Sequence, residues 1–475
     1  MNTALPRPLR GRPAVPALLL ALALGGCASL RPEPAMPVAP AVPAQWAAAT
    51  GSAQADSLAQ WWQRFDDPTL TRLVTQALQA NTSVQAAQAA LRQARAQRDA
   101  QAAANGPSIG ASASVQRSQN GNADGSTRYQ AGFDASWEPD LFGGNRATLD
   151  AAEASARAAA ASLGDVQVSL AAETAVATIE LRGLQARLAI AERNLTAQQE
   201  TLQITRWRVQ AGLASSLDLE QAITATEQTR AQIPALQAGI GQSLNALAVL
   251  TGQPPGALQT LIAPAAPIPA PPADLALAFP ADTLRQRPDV RQAEAQWQAA
   301  LARLSAAEAA RYPSLRLSGS LGLSALSLGS LTDGASVVRS LLAGVSAPLF
   351  DGGALRAQAQ AQQAAVDQAQ AGLQGAVLNA LKDVENALLA LQGNRERLAR
   401  QQAAAEAAAN AELLARQRYQ SGLIDFRTVL DTQRSLLAAQ DGVASTQATL
   451  SADHVRLYKA LGGGWQAETA TAAAR

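Results

Sequence analysis

The sequence is poor in the residue types on which most reactive sites depend. Its 475 residues include one cysteine, one histidine and two methionines, and only 16% are charged. A single cysteine excludes a disulfide framework within the chain. His454 has no cysteine or carboxylate partner at ligand spacing, so we expect a surface or interface residue and no metal site. The formal net charge of +1 gives no electrostatic attraction to nucleic acid, so we expect none as a partner.

Aromatic residues are also scarce, at 4% of a chain that is 48% hydrophobic. Alanine makes up roughly a quarter of the sequence, far above its usual share. Alanine is the best helix former but buries little area per residue. We therefore expect long, closely packed helices, with part of the surface facing something other than water.

The first residues are typical of an export signal. Residues 1–26 combine three arginines, a short apolar run and the pair Gly25-Gly26. The apolar run is too short to span a bilayer, so these residues are read as a signal peptide. The string LGGC resembles a bacterial lipobox, which predicts that Cys27 carries the lipid, including palmitate, and begins the mature chain. Ser29 is not the aspartate that retains many lipoproteins in the inner membrane, so the resemblance implies the outer membrane. Residues 27–60 then form a lipidated, Pro/Ala-rich tether.

The body of the chain repeats itself. Residues 61–252 align with residues 273–462 at offsets near 206 to 210, through matching Pro-Ser, Leu-Phe-Gly-Gly and Gly-Leu landmarks. Residues 253–272 form a Pro-rich joint of an equatorial region, and residues 463–475 form a tail. We therefore expect one structural unit built twice.

Each repeat contains a stretch of period two between helical stretches. Apolar and polar residues alternate in hairpins expected at about 107–138 and 313–348, and Trp137, Tyr129 and Phe350 supply aromatic residues for a membrane interface. Four strands per chain are too few to close in lipid, so the barrel must be shared between copies. Two chains would supply eight strands and three would supply twelve, and periodicity leaves both numbers open.

Long helices follow each hairpin. A helical period holds from about 67 to 104, from 145 to 210 and from 354 to 420, and leucines recur every seven residues along 181–209 as in a coiled-coil seam. About 65 residues at 1.5 Å each make a rod of roughly 100 Å. The turns of two antiparallel helix pairs fall at 212–218 and 422–428, each opened by glycine.

Several motifs together resemble one family. The lipobox, WWQRFDDPTL at 61–70, RPDVRQAEAQ at 287–296, LFDGG, RYQSGLIDFRTVLDTQRSLL at 418–437 and YKALGGGW at 458–465 resemble the outer-membrane efflux lipoproteins of the TolC superfamily, NodT branch. The resemblance implies an internally duplicated α+β membrane protein. Four transmembrane β-strands per chain would form a trimeric twelve-stranded β-barrel, continuous with a long periplasmic α-helical barrel.

The function implied is a passive exit duct for small molecules such as drugs or toxic compounds. The homotrimer would dock to a periplasmic adaptor and an inner-membrane pump of the resistance-nodulation-division type, with outer-membrane lipid as a further partner. We expect no enzymatic activity and no cofactor apart from the lipid on Cys27. Two alternatives stay open: a duct for type I protein secretion, and a periplasmic coiled-coil lipoprotein that does not conduct.

The resemblance also implies a gate at the periplasmic helix tips. Asp218 and Tyr419 match the carboxylate and the tyrosine of a link between the tips, and Asp431 matches an inward-facing carboxylate. The residues implied to contact the adaptor at the tips are Gly212, Leu213, Ser216, Gly422 and Leu423.

The gate motif departs from the family at two positions. Ile424 stands where some relatives carry an arginine, and Thr428 stands where they carry a second acid. Asp425 and Arg427 are the candidates for a different link. Acids in the first turn of a helix are also favoured by the helix dipole, so Asp218, Asp425 and Asp431 could be helix caps.

Overall fold

The computed structural model describes residues 46, 58–121, 124–262, 264–270 and 286–465. These residues divide into two compact units. The first, here the strand unit, contains Asp99–Ala151 and Ala299–Asp367. The second, here the helical unit, contains the described parts of Ala39–Arg98, Ala152–Gln298 and Gln368–Arg475.

From the helix before each hairpin onward, the described elements follow the same order in both halves of the sequence: one helix, two strands and two long helices. The helices are α1 (Pro68–Ala80), α2 (Thr82–Ala104), α3 (Gly144–Gln210), α4 (Ser216–Leu250), α5 (Gln259–Ile262), α6 (Pro288–Ala309), α7 (Ala354–Gln420) and α8 (Phe426–Ala460). The strands are β1 (Ser108–Ser118), β2 (Ser126–Trp137), β3 (Ser314–Ala325) and β4 (Val337–Ser346).

The corresponding helices of the two halves have equal lengths. Helices α3 and α7 each have 67 residues, and α4 and α8 each have 35. Equal lengths at equivalent places are what a duplicated unit produces, because each helix pair must end at the same level. The sequence pattern predicted the ends of α3 and α7 to within one residue, whereas the turns expected at 212–218 and 422–428 include the first three residues of α4 and α8.

The prediction of a single helix from about 67 to 104 is wrong, because the helix is interrupted at Asn81. Asp67 caps the first helix as its side chain accepts hydrogen bonds from the amides of Thr69 and Leu70, at 2.7 and 2.9 Å. Asn81 ends α1 in an extended conformation and its Nδ2 donates to the Leu250 carbonyl at 2.9 Å. A local asparagine can therefore stop one helix and start another without proline or glycine.

The strand unit holds one antiparallel sheet in the order β1-β2-β3-β4. The pairing has no bulge, so directly opposite residues share a face across all four strands. One face carries apolar side chains that are largely exposed in the single chain: Ile109, Val115, Phe133, Leu321, Leu341 and Val345. Strands β1 and β4 form the two edges and expose unpaired backbone groups.

The middle of the sheet has a close approach between β2 and β3. Gly132 lies opposite Gly322. A Cβ added to Gly132 would lie 2.8 Å from the Gly322 Cα and 2.9 Å from the Leu321 carbonyl oxygen. Glycine is therefore required here by the neighbouring backbone, and both positions belong to the polar face of the sheet.

The helical unit has its largest buried cluster around Trp61. Trp61 is fully buried and stacks on Tyr458, with ring centroids 5.2 Å apart, and its edges meet Trp62 and Phe65. Small residues of α3 and α8 complete this cluster, among them Ala171, Ala175 and Ala452. Four aromatic side chains thus supply the bulk that the small alanine side chains of the surrounding helices lack.

Helix α3 buries two stripes of side chains, and the leucine seam expected along 181–209 is one of them. Leu181 packs with Leu244 and Leu247 of α4, as the heptad pattern predicted. A second stripe of α3 is polar and faces α8. Its contacts are Asn194 to Gln440 at 3.0 Å, Gln433 to Thr201 at 3.0 Å, and an ion pair between Arg187 and Asp441 at 2.7 Å. Helix α3 has two neighbours, so one heptad pattern could not describe both contacts.

His454 is buried at the contact between α7 and α8. Of the two placements expected for it, surface or interface, the structure excludes the surface. Its Nδ1 lies 2.9 Å from the Leu450 carbonyl oxygen and its Nε2 lies 3.3 Å from Arg395. Burial, together with the charge of Arg395, lowers the pKa of the imidazole below its usual value. Among the described residues, no group of His, Cys, Asp and Glu could hold a metal ion.

One helix, α4, is long and apolar enough to cross a membrane by length and composition alone. Only 17% of its most apolar window is buried within the chain. Apolar helices of soluble bundles meet the same criterion, so this property does not identify a membrane span.

Candidate functional site: the helix tips and the membrane-type sheet

The ends of four long helices meet around one apolar cluster, here called the tip cluster. The turns between α3 and α4 and between α7 and α8 both follow glycine in the left-handed conformation, Gly212 at φ 72° and Gly422 at φ 75°. These glycines let the chain reverse without steric strain. The tip cluster contains Leu202, Ala222, Ala225, Ala415, Tyr419, Phe426, Val429 and Leu430.

The turns themselves are exposed. Leu213 and Leu423 follow the two glycines and are 71% and 74% exposed, and Ser216 is also exposed. Two apolar side chains held in water at the ends of helix pairs are what a docking surface offers. These are positions at which the sequence predicted contact with an adaptor.

Asp218 belongs to a capping box. Its carboxylate accepts hydrogen bonds from the Ser215 amide at 3.0 Å and from the Ser215 hydroxyl at 2.9 Å, and its own amide donates back to that hydroxyl. This arrangement satisfies free amides at the start of α4. No hydrogen bond joins Asp218 to Tyr419 among the described residues, and the predicted link between them stays a prediction.

Asp425 is itself the N-cap residue of α8, whereas Asp218 lies in the first turn of α4 behind the N-cap Ser215. The Asp425 side chain accepts from the Thr428 amide at 3.0 Å and from the Thr428 hydroxyl at 2.6 Å. These hydrogen bonds, and the nearby charge of Arg427, hold the pKa of Asp425 below its usual value. Thr428, which replaces an acid of the family motif, is therefore part of a cap.

Tyr419 is buried and contacts the end of α3. Its hydroxyl lies 3.3 Å from the Thr205 hydroxyl. Arg208 donates from Nη1 to the Tyr419 carbonyl oxygen at 2.7 Å, and its guanidinium lies over the Tyr419 ring, 4.5 Å from the centroid. Phe426 meets the same ring edge-on at 5.8 Å. One arginine thus joins the last turns of α3 and α7.

Neither Arg208 nor Thr205 was predicted from the sequence as part of the site. Both lie in a regular helix, and their partners are about 210 residues away. Only the register between α3 and α7 makes them neighbours of Tyr419. A weak hint was available: a basic residue in the last turn of a helix is well placed to bind carbonyl oxygens.

Asp431 and Arg427 remain exposed on α8. Among the described residues, neither side chain has a hydrogen bond or an ion pair. A single chain therefore leaves both charges available to water, another copy or passing ions. Their predicted roles in a gate stay predictions.

The aromatic residues of the strand unit mark two levels of the sheet. Trp137 ends β2 and donates from Nε1 to the Asn105 carbonyl at 3.0 Å. Tyr129 lies eight residues earlier on the same face, which at 3.3 Å per residue is roughly 26 Å. That spacing matches the apolar band of outer-membrane strands, about 25 Å tall. Phe350, beyond β4, is 94% exposed.

Residues 73–253 and 279–463 match the family model described as "Outer membrane efflux protein". The chain belongs to the outer membrane efflux protein family. It is 35% identical to the pyoverdine export outer membrane protein OpmQ of Pseudomonas putida, over 96% of this chain and 98% of that one. It is 32% identical to the outer membrane protein OprJ of Pseudomonas aeruginosa, over 95% and 96% of the two chains.

Solved structures of efflux channels share the fold. The outer-membrane channel OprN superposes with a TM-score of 0.85 at 35% identity, covering 90% of this chain and all of that one. The outer membrane protein VceC of Vibrio cholerae gives 0.81 at 26% identity, covering 86% and 99%. Channels of this family are trimers that extend into the periplasm and work with an adaptor and an inner-membrane pump.

The comparisons confirm the predicted family, fold class, outer-membrane location and partners. This outer membrane efflux protein is a channel component of an efflux pump, which excludes the non-conducting coiled-coil lipoprotein. The family consists of channel proteins. The lipidation site expected at Cys27 lies outside the described residues.

Proposed function

We propose that three copies of the chain form an exit duct that carries small organic molecules out of the cell, closed at rest by its tip clusters. The four-stranded sheet with two unpaired edges supports this assembly, because strands in lipid must close on themselves. Three copies supply twelve strands, an even number within the range of outer-membrane barrels. Named relatives export pyoverdine, toluene and antibiotics, so a small-molecule cargo is proposed.

The proposed closing element is the contact between Arg208 and Tyr419. The arginine crosses from one helix pair to the other, so separating the pairs must break its hydrogen bond to the Tyr419 carbonyl and its contact with the ring. A hydrogen bond from a charged donor and a cation–π contact are together worth on the order of 2–4 kcal/mol. A contact of this strength stabilises the closed state and can still be broken when the adaptor binds.

Asp218, Asp425, Arg427 and Asp431 have a secondary place in this proposal. The two caps fix the starts of α4 and α8, so the tips move as stiff hairpins. Three copies of Asp431 around an axis would attract cations and repel each other, which keeps the energy needed for opening low. We place Gly212, Leu213, Ser216, Gly422 and Leu423 at the adaptor contact.

The gate proposal predicts a larger conductance for Arg208→Ala. Loss of the guanidinium removes both contacts to Tyr419, so the tips separate more often. We expect severalfold higher mean single-channel conductance for the purified trimer in planar bilayers. Arg206→Ala is the matched control, because Arg206 is exposed on the same helix, two residues away, and should leave the conductance unchanged.

Tyr419→Phe and Asp218→Ala separate the two possible links. Tyr419→Phe keeps the ring under Arg208 and loses only the hydroxyl contact to Thr205, so it should have a small effect. Equal conductance in wild type and Arg208→Ala would contradict the proposal that the contact between Arg208 and Tyr419 closes the channel. An effect confined to the double variant Tyr419→Phe/Asp218→Ala would instead favour the link that the family resemblance implies.

We further propose that the chain catalyses no reaction and has no cofactor besides lipid on Cys27. The segments proposed are a signal peptide at 1–26, a lipidated tether at 27–60, repeats at 61–252 and 273–462, a joint at 253–272 and a tail at 463–475. Cys27→Ala should abolish incorporation of radiolabelled palmitate, which the wild type should show. Label retained by the variant would contradict the lipid site.

A further inference from the structure

One cationic side chain lies on the apolar face of the sheet. Arg339 is the third residue of β4 and lies opposite Leu321, which lies opposite Phe133, which lies opposite Ala111. Its same-face neighbours along the strand are Val337 and Leu341, both well exposed in the single chain. Since the register has no bulge, Arg339 cannot belong to the polar face.

No carboxylate shares that face. Strands β1, β3 and β4 contain no Asp or Glu. The one acid of the sheet, Asp134, lies on the polar face opposite Gly110 and Ser320 and accepts a hydrogen bond from Ser112 at 2.8 Å. Arg339 itself is exposed, and it has no hydrogen bond or ion pair among the described residues.

An arginine that faces lipid is costly unless it reaches an interface. At the bilayer centre of an outer-membrane barrel the cost is about 2–4 kcal/mol, and it falls to about 0–1 kcal/mol near the headgroups. Long cationic side chains extend their charged end toward the headgroups for this reason.

The chain topology indicates which headgroups Arg339 meets. All the helices that flank the sheet join it at one end, where β1 and β3 begin and β2 and β4 end. The opposite end is the one where β1 and β3 end and β2 and β4 begin, and among the described residues it carries no α-helix. The family's helices are periplasmic, so this second end faces the outer leaflet. Arg339 lies two residues from the start of β4, and its cross-strand row meets β2 at Phe133, four residues or roughly 13 Å from Tyr129, so its long side chain must extend toward this end to reach the headgroups.

We propose that Arg339 binds the phosphate group of a lipid headgroup in the outer leaflet. A guanidinium offers paired donors that match phosphate oxygens, and in an apolar surrounding this pairing is stronger than in water. In a symmetric assembly each copy would hold one such lipid against the apolar row of Leu321 and Phe133. The inference rests on the placement of the sheet in the outer membrane and is independent of the gate.

Native mass spectrometry of the purified trimer tests the site. The probes are a lipid A that carries its two phosphates and the same lipid after removal of both. The wild type should retain the phosphorylated lipid at least about tenfold more tightly, as expected for charge-assisted hydrogen bonds. Arg339→Gln should lose that preference, and Arg339→Lys should keep part of it.

Arg316→Gln is the matched control. Arg316 lies on the other face of the sheet, opposite Gly344 in β4, so its loss should leave lipid retention unchanged. The proposal is overturned if Arg339→Gln retains the phosphorylated lipid as the wild type does, or if Arg339→Gln and Arg316→Gln lose it equally.

A second measurement separates lipid from a protein partner. If Arg339→Gln lowers the stability of the trimer in lipid-free detergent, the partner is a carboxylate of a neighbouring copy and the lipid proposal is wrong. The spectra also report whether each variant is trimeric, so a folding defect is visible. Channel conductance should be unchanged in both Arg339 variants, because Arg339 lies on the face of the sheet that meets lipid.

Discussion

Gly132→Ala is expected to abolish assembly of the trimer in the outer membrane. The added Cβ would meet the Gly322 Cα at 2.8 Å and the Leu321 carbonyl oxygen at 2.9 Å, distances that unstrained carbon atoms do not reach. Both obstacles are backbone atoms and cannot rotate away. Strands β2 and β3 would have to separate at their centre, which breaks the ladder between the two hairpins.

The matched control is Gly319→Ala in the same pair of strands. A Cβ there would find its nearest neighbour, the Ser340 carbonyl oxygen, at 3.5 Å, an ordinary contact. Trimers resistant to mild SDS treatment should be absent for Gly132→Ala and present for Gly319→Ala. Trimers of both variants in equal amounts would show that β2 and β3 are not in close contact.

Trp61→Ala is expected to destabilise the helical unit by about 3–5 kcal/mol, the usual cost of removing a fully buried large aromatic side chain. Trp61 stacks on Tyr458 and contacts Trp62 and Phe65. Alanine-rich helices have few other large side chains to close the cavity. The midpoint of thermal unfolding, followed by the helical signal at 222 nm in detergent, should fall clearly.

Trp61→Phe provides the control for this cluster. It keeps a ring against Tyr458, and it loses no hydrogen bond, because the Trp61 Nε1 is buried without a partner among the described residues. We expect less than half the destabilisation of the alanine variant. A midpoint unchanged by Trp61→Ala would mean that the cluster contributes nothing to stability.

The sequence predicted those parts of the fold that depend on local patterns. Helix ends at Gly212 and Gly422 follow from backbone conformations that glycine alone adopts easily. The four strands follow from strict alternation, and their shared face follows from the period of two. The break at Asn81 was missed, because a single asparagine inside an alanine-rich run gives no signal unless its distant partner, the Leu250 carbonyl, is known.

The site depended more on contacts between distant segments. Tyr419 and Asp218 were identified through family motifs, but the partners of Tyr419 were not, since Arg208 and Thr205 reach it only through the register of α3 against α7. The polar stripe of α3 was missed for the same reason. A heptad pattern describes one neighbour at a time, and buried Thr, Asn and Gln look like surface residues in a sequence.

The central claim is that copies of this chain complete one another's sheet, and cysteine cross-linking tests it most directly. The only native cysteine, Cys27, lies far from the strands in the sequence. One cysteine at Ala113 in β1 is combined in turn with one at Leu341 or Ala343 in β4, which lie on the same face of the sheet, and the protein is oxidised in the membrane. We expect gel bands of two and three linked chains that disappear on reduction. Monomers linked only within themselves, or no link at any position, would contradict it.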